Sequence, residues 1–124
     1  MKNAASKKLP YIVKVLDRLS SVQSVRSKSM FGGYGLYSGA YFFGLVWESS
    51  LFLFTDEASR KRYKKAGMGP FVFKEGQKEG NYFEIPEKIF ESEDQLTKWA
   101  NEAIECRRKY EESRIQRKGF RGIE

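Results

Sequence analysis

From Ser29 to Trp47 the chain runs for 19 residues without a single charge, reading Ser-Met-Phe-Gly-Gly-Tyr-Gly-Leu-Tyr-Ser-Gly-Ala-Tyr-Phe-Phe-Gly-Leu-Val-Trp. Aromatic side chains favour a pleated, half-buried surface, and glycines inside such a surface mark bulges, turns or close approach of another backbone. A stretch so rich in both is expected at the centre of a sheet, and the rest of the chain has to supply its neighbours and its cover. Nothing in it names a reaction.

The flanking segments read accordingly. Leu9, Ile12, Val13, Leu16 and Leu19 follow the 3.6-residue period of an amphipathic helix from Lys7 to about Ser21, with Pro10 in its first turn, where a missing N–H costs little. From Ser24 the pattern turns to alternation, with Val25, Ser27 and Ser29 on one side and Arg26, Lys28 and Met30 on the other. This predicts a first strand that bulges at Gly32–Gly33 and continues to Tyr37. Ser38–Gly39 reads as a hairpin turn, Ala40 to Trp47 as a second strand, Ser49–Ser50 as a reversal and Leu51 to Phe54 as a third strand. Thr55 or Asp56 is placed to cap a helix that stops at Gly67, with Ala58, Tyr63 and Ala66 as its apolar stripe. Phe71 to Phe73 and Tyr82 to Ile85 are expected as strands four and five, the latter ended by Pro86. Ser92 to Gln95 is the capping box of a long helix that carries Leu96, Trp99, Ala100, Ala103 and Ile104. The order is α-β3-α-β2-α, which predicts an α+β two-layer sandwich with an antiparallel five-stranded sheet. Residues 1–112 form the expected domain, and residues 113–124 a basic tail expected to fray.

A chain of 124 residues, 40% hydrophobic, suits one modest core. The longest uncharged apolar run, Ala40 to Trp47, falls well short of the roughly 20 residues that span a bilayer, and no signal-peptide core is present, so the protein is expected in the cytoplasm and away from membranes. The single cysteine, Cys106, agrees with a reducing compartment and is expected to pack rather than react. There is no histidine, which removes the commonest general base near neutral pH, the usual zinc ligand and the standard nucleophile triads. Glu87, Glu91, Glu93 and Asp94 crowd a helix start, where the helix dipole already favours carboxylates. Gly32, Gly33 and Gly35 lack the lysine and helix start of a phosphate loop. No catalytic residue, cofactor or metal is expected.

Charge is unevenly spread. Residues 1–28 carry seven basic residues against one acidic, while residues 81–104 carry six acidic against two basic. Lys7, Lys8, Arg60, Lys61, Arg62, Lys64 and Lys65 are the candidate contacts for nucleic acid or an acidic partner, although such a run is also what a solvated helix face looks like. Both faces of the second strand are apolar, and one of them lacks an obvious cover. Phe42 and Val46 are therefore the candidate surface for a homodimer or a protein partner.

The block Met30, Phe31, Gly32, Gly33, Tyr34, Gly35, Leu36, Tyr37 resembles the signature of the N-terminal domain of the TfoX/Sxy family, bacterial regulators of competence for DNA uptake. The similarity continues through Phe43 to Val46, Leu51 to Phe54, Ala66–Gly67, Pro70–Phe71 and Tyr82 to Pro86, covering roughly residues 8 to 105. The resemblance implies a secretion-chaperone-like α-β3-α-β2-α fold, a cytoplasmic role in transcription regulation, and no catalytic residue to carry over. Full-length members also carry a helical C-terminal domain, in whose place this sequence has a basic tail. The expected function is a non-enzymatic regulatory or protein-interaction module. The alternatives are a weak, sequence-nonspecific nucleic-acid-binding accessory protein and, further off, a small enzyme using carboxylates near the glycine–aromatic strands.

Overall fold

Helical periodicity takes hold at Pro10, whose fixed φ and absent N–H suit the start of a helix. In the computed structural model, which describes residues 10–72 and 80–123, α1 spans Tyr11–Arg18 with Pro10 as its N-cap. Val15 and Leu19 are buried, and Tyr11, Ile12 and Leu16 pack at the margin of the core. Four strands follow in unbroken succession: β1 Val25–Met30, β2 Gly33–Ser38, β3 Tyr41–Trp47 and β4 Ser50–Phe54. Then come α2 Glu57–Lys65, β5 Tyr82–Glu84, the short α3 Glu87–Glu91 and the long α4 Glu93–Ile123. The strands form one antiparallel sheet in the order β1-β2-β3-β4-β5.

The α+β class and the five strands agree with the sequence reading, but the order α-β3-α-β2-α does not. What reads as one bulged strand from Ser24 to Tyr37 is a hairpin, because Phe31 (φ 24°) and Gly32 (φ 83°) both turn into the left-handed region between the paired Met30 and Gly33. Two consecutive residues at positive φ match the twist of a tight antiparallel reversal. The bulge lies one hairpin later, where Leu36 pairs with Gly44 and Tyr37 with Phe42, leaving Phe43 as the extra residue. The expected strand at Phe71–Phe73 is also absent among the described residues. Pro70 makes an isolated bridge to Phe83, and Phe71 and Val72 carry no strand. A proline cannot donate to a ladder, which keeps that segment short.

The core gathers Val15, Leu19, Leu36, Phe43, Val46, Leu51, Leu53, Phe83 and Ile85 with Tyr63 of α2 and Leu96, Ala100, Ala103 and Cys106 of α4. The last four follow the helical spacing of the sequence, and α4 lies against β3 and β4. It runs on through Ile123, into the segment read as a tail. On α2 the expected stripe is displaced: Ala58 and Ala66 are exposed, whereas Ser59 and Tyr63 are buried. Ser59 is drawn in because it completes a capping box. Its amide donates to Asp56 Oδ1 at 2.8 Å, and its Oγ accepts from the Asp56 amide at 3.1 Å. A serine so bonded can be buried without leaving its hydroxyl unsatisfied.

The Ser59 amide holds the Asp56 carboxyl below the ordinary carboxylate range. A folded-state pKa below the unfolded one gives stability that is present above the unfolded value and fades as pH falls through the folded value. Asp56→Ala is therefore expected to cost about 1 kcal/mol at neutral pH, with the gap to the parent narrowing below pH of about 4. Urea unfolding of the two proteins across pH measures it, and a gap that stays constant into acid would show that the charge on Asp56 contributes nothing.

Candidate interaction surface

Of the candidate basic residues, Arg60 and Arg62 are engaged within the molecule. Arg60 donates through Nε to Thr55 Oγ1 (3.1 Å) and through Nη2 to Asn81 Oδ1 (2.7 Å), pinning the start of α2 to the approach to β5. Arg62 pairs with Glu102 of α4 and lies 4.3 Å over the Trp99 ring. Lys64 sits 5.9 Å from the Phe83 ring. Lys61, Lys64 and Lys65 are exposed along α2, and Lys7 and Lys8 lie outside the described residues. Among the described residues the expected cluster keeps Lys61, Arg62, Lys64 and Lys65 exposed on α2, the last three in its final turn, where the dipole favours cations.

The candidate surface at Phe42 and Val46 is corrected as well. Val46 is buried, facing Tyr34 and Leu51 in the sheet register, and belongs to the core. Phe42 is half-buried, with Tyr37 stacked on it at 5.1 Å, Tyr82 at 5.0 Å and the Arg107 guanidinium at 5.8 Å. Arg107 also donates to the Tyr82 hydroxyl (3.1 Å), which donates to the Phe42 carbonyl (2.8 Å). Burial, outweighing the nearby Arg107, raises the pKa of Tyr82. Phe42 is thus covered from within its own chain, by Tyr37, Tyr82 and Arg107.

The β1–β2 hairpin reaches solvent, as do the single apolar side chains Val13, Val72, Tyr110 and Ile115 elsewhere. Phe31 at the tip is 56% exposed, with the Trp47 ring edge-on beneath it at 6.5 Å. Trp47 lies against the Gly32 and Gly33 backbone and meets Phe71, which in turn meets Phe52. Gly33 and Gly35 of the signature are buried on the strand that supports this hairpin, Leu36 is in the core, and Met30, Tyr34 and Tyr37 are half-buried. The block from Met30 to Tyr37 is thus a structural device: it builds the hairpin and seats Trp47.

The two sheet edges differ. At β5 the outward groups are used, since the Phe71 amide donates to the Tyr82 carbonyl (2.7 Å) and the Glu84 amide to the Gly69 carbonyl (2.9 Å). At β1 the Gly39 amide donates to the Ser24 carbonyl, which sets the alternation. Counting in twos from that bond, Arg26, Lys28 and Met30 turn their backbone groups to β2, and Val25, Ser27 and Ser29 turn theirs outward. Among the described residues no bond occupies those outward groups. Sequence reasoning found the alternation in this strand but not that it is an edge, and Arg26, Ser27, Lys28 and Ser29 are the residues it missed.

Elsewhere, a groove of about 790 Å³ runs between α1, β4 and α3, lined by Tyr11, Lys14, Arg18, Glu84, Glu87 and Glu91 among others. Its charges are of both signs and partly tied to each other's elements: Arg18 donates to the Glu91 carbonyl (3.3 Å) and Ser50 to Glu84 (3.0 Å). Burial, with Glu84 and Glu87 adding to it, pushes the Tyr11 hydroxyl up to about 12. The Cys106 thiol is pushed up to about 11, first by burial and then by Asp56, which leaves it protonated near neutrality. Among the described residues, no group of three or more His, Cys, Asp or Glu is placed to hold a metal ion. Nor is any helix among them long and apolar enough to cross a membrane.

A comparison with protein-family models matches residues 17–107 to the one described as the TfoX N-terminal domain. A comparison with curated proteins gives no match.

Proposed function

We propose that this chain, which belongs to the TfoX N-terminal domain family, acts as a non-enzymatic, cytoplasmic protein-interaction module of the competence-regulator kind. The observation that supports this reading most is the β1–β2 hairpin. It presents the exposed Phe31 on a Trp47 support beside an open sheet edge, while Phe42, Arg60 and Arg62 are engaged within the fold. Exposed apolar anchors next to polar, unpaired backbone are what protein partners recognise.

A photo-reactive phenylalanine analogue in place of Phe31, incorporated in the native cell, tests the proposal. Discrete covalent adducts with another protein are expected, and adducts confined to nucleic acid would reject the reading.

The nucleic-acid alternative makes a different prediction. Lys61, Lys64 and Lys65 lie on a helix of nine residues with no asparagine or glutamine to read adenine, and its two arginines are held by Asn81 and Glu102. Any DNA binding by the isolated protein is expected to be indifferent to sequence. It should weaken steeply with salt, with a slope of about −0.9 for each phosphate neutralised. Fluorescence anisotropy against one duplex and its scrambled competitor, at two or more salt concentrations, measures both. Preferential retention of one sequence at physiological salt would move the function to direct DNA recognition.

A further inference from the structure

We propose that the outer edge of β1 receives an extended acidic segment of another protein as a sixth strand. This rests on the interaction reading above and names the chemistry of its partner. Val25, Ser27 and Ser29 present amides and carbonyls away from β2 at the two-residue repeat of an antiparallel ladder, and the far edge at β5 is already covered by Gly69 and Phe71. Unpaired edge groups of this kind are a template for strand addition, in which main-chain bonds give affinity and alternate side chains give selectivity.

The alternate side chains here are cationic. Arg26 and Lys28 share one face of β1, opposite Tyr37 and Gly35. The Arg26 guanidinium lies 4.8 Å over the Tyr37 ring and donates to the Gly39 carbonyl (3.2 Å), so it is held in place beside the edge. Lys28 is exposed. A strand laid along this edge places its own alternate side chains beside these two, where opposite charges stabilise and like charges repel.

That requirement excludes the nearest occupants. A second copy pairing β1 antiparallel to itself must match the outward residues 25, 27 and 29 with one another. The centred register, Ser27 opposite Ser27, then sets Arg26 opposite Lys28. One step either way sets Arg26 against Arg26 or Lys28 against Lys28. The chain's own ends fit no better, since Lys2, Lys7 and Lys8 precede the fold and Arg114, Arg117, Lys118 and Arg121 close the sequence. The segment that fits carries Asp or Glu at alternate positions and small or apolar residues between them. An apolar residue at its end would meet Phe31.

The probe is a capped peptide of about eight alternating Glu and Val residues, the length of a common strand. Two controls accompany it: a twin with Lys for Glu, and the same acidic peptide N-methylated at alternate amides. With the full isotope-labelled chain, the acidic peptide is expected to slow amide exchange about tenfold or more at Val25, Ser27 and Ser29, and the two controls to leave it unchanged. Ser27→Pro removes one outward donor without touching the β1–β2 ladder and is expected to weaken binding about tenfold, and Lys28→Glu is expected to do the same through charge. If Ser27→Pro does not fold, the N-methylated peptide tests the same bonds from the other side.

Equal binding of the acidic and basic peptides, or protection away from the three amides, overturns the proposal. So does a homodimer in sedimentation that Ser27→Pro abolishes, since a second copy would then hold the edge. Protein adducts from position 31 that persist in Ser27→Pro overturn the edge proposal but leave the interaction module standing. Peptide protection at the three amides without adducts in the cell supports the edge chemistry while the interaction reading fails.

Discussion

Gly33→Val is expected to destabilise the protein by about 3 kcal/mol or more, a large share of the roughly 5–15 kcal/mol that holds an ordinary domain folded. A Cβ at Gly33 would stand 2.4 Å from the Val46 carbonyl oxygen and 2.9 Å from Trp47 Cε3. The first of these is backbone of β3, held by pairing to both β2 and β4, so it cannot give way without opening the ladder. The second belongs to the ring that supports the hairpin tip, and lifting it separates Trp47 from Phe31 and Phe71. Gly35→Ala provides the contrast. There the near neighbour is Met30 Cε at 2.6 Å, the end of a flexible side chain, and about 1 kcal/mol is expected. Gly39, at φ +60° with open space around it, carries only the left-handed penalty of about 1–2 kcal/mol for alanine. Urea midpoints at constant slope rank the three. If Gly33→Val unfolds with the parent, the close approach of β2 and β3 is not where the signature acts.

The same residues show how far the sequence could be read. The α1 periodicity, the caps at Asp56 and Ser92, the hairpin turn at Gly39 and the sheet-centre position of the glycine–aromatic stretch are all local signals, and each corresponds to an element of the structure. The hairpin at Phe31–Gly32 escaped because a tight reversal is usually announced by asparagine or aspartate before glycine. A phenylalanine at positive φ is stabilised here by its ring contact with Trp47, sixteen positions away. Ala58 and Ala66 looked like core and are not, because helix propensity and apolarity do not reveal which side of a short helix meets the sheet. The edge at β1 was invisible for a more general reason. Strand order is a property of the whole sheet, and the alternation of Arg26 and Lys28 with Val25, Ser27 and Ser29 would look the same in a central strand. Arg60 and Arg62 read as a basic patch for the converse reason, since their partners Asn81 and Glu102 are 21 and 40 residues distant.

Tyr63 sets the second large effect. It is 1% exposed, between Trp99 of α4 (4.8 Å) and Phe83 of β5 (6.2 Å), so it joins α2 to both the long helix and the sheet. Tyr63→Ala removes both ring contacts and leaves a cavity at their junction, at an expected cost of about 3–5 kcal/mol. The hydroxyl acts in the opposite direction. Among the described residues it has no hydrogen-bond partner, and burial, reinforced by Glu102, raises its pKa far above neutrality. A buried hydroxyl that exchanges water for nothing carries its full desolvation cost. Tyr63→Phe keeps the ring and drops that cost, so it is expected to stabilise the protein by about 1 kcal/mol, raising the urea midpoint while Tyr63→Ala lowers it. A tyrosine retained where phenylalanine is more stable would have to serve something other than stability. A loss of 1 kcal/mol or more in Tyr63→Phe would instead mean that the hydroxyl is bonded in solution, and would remove the reason for the expected gain.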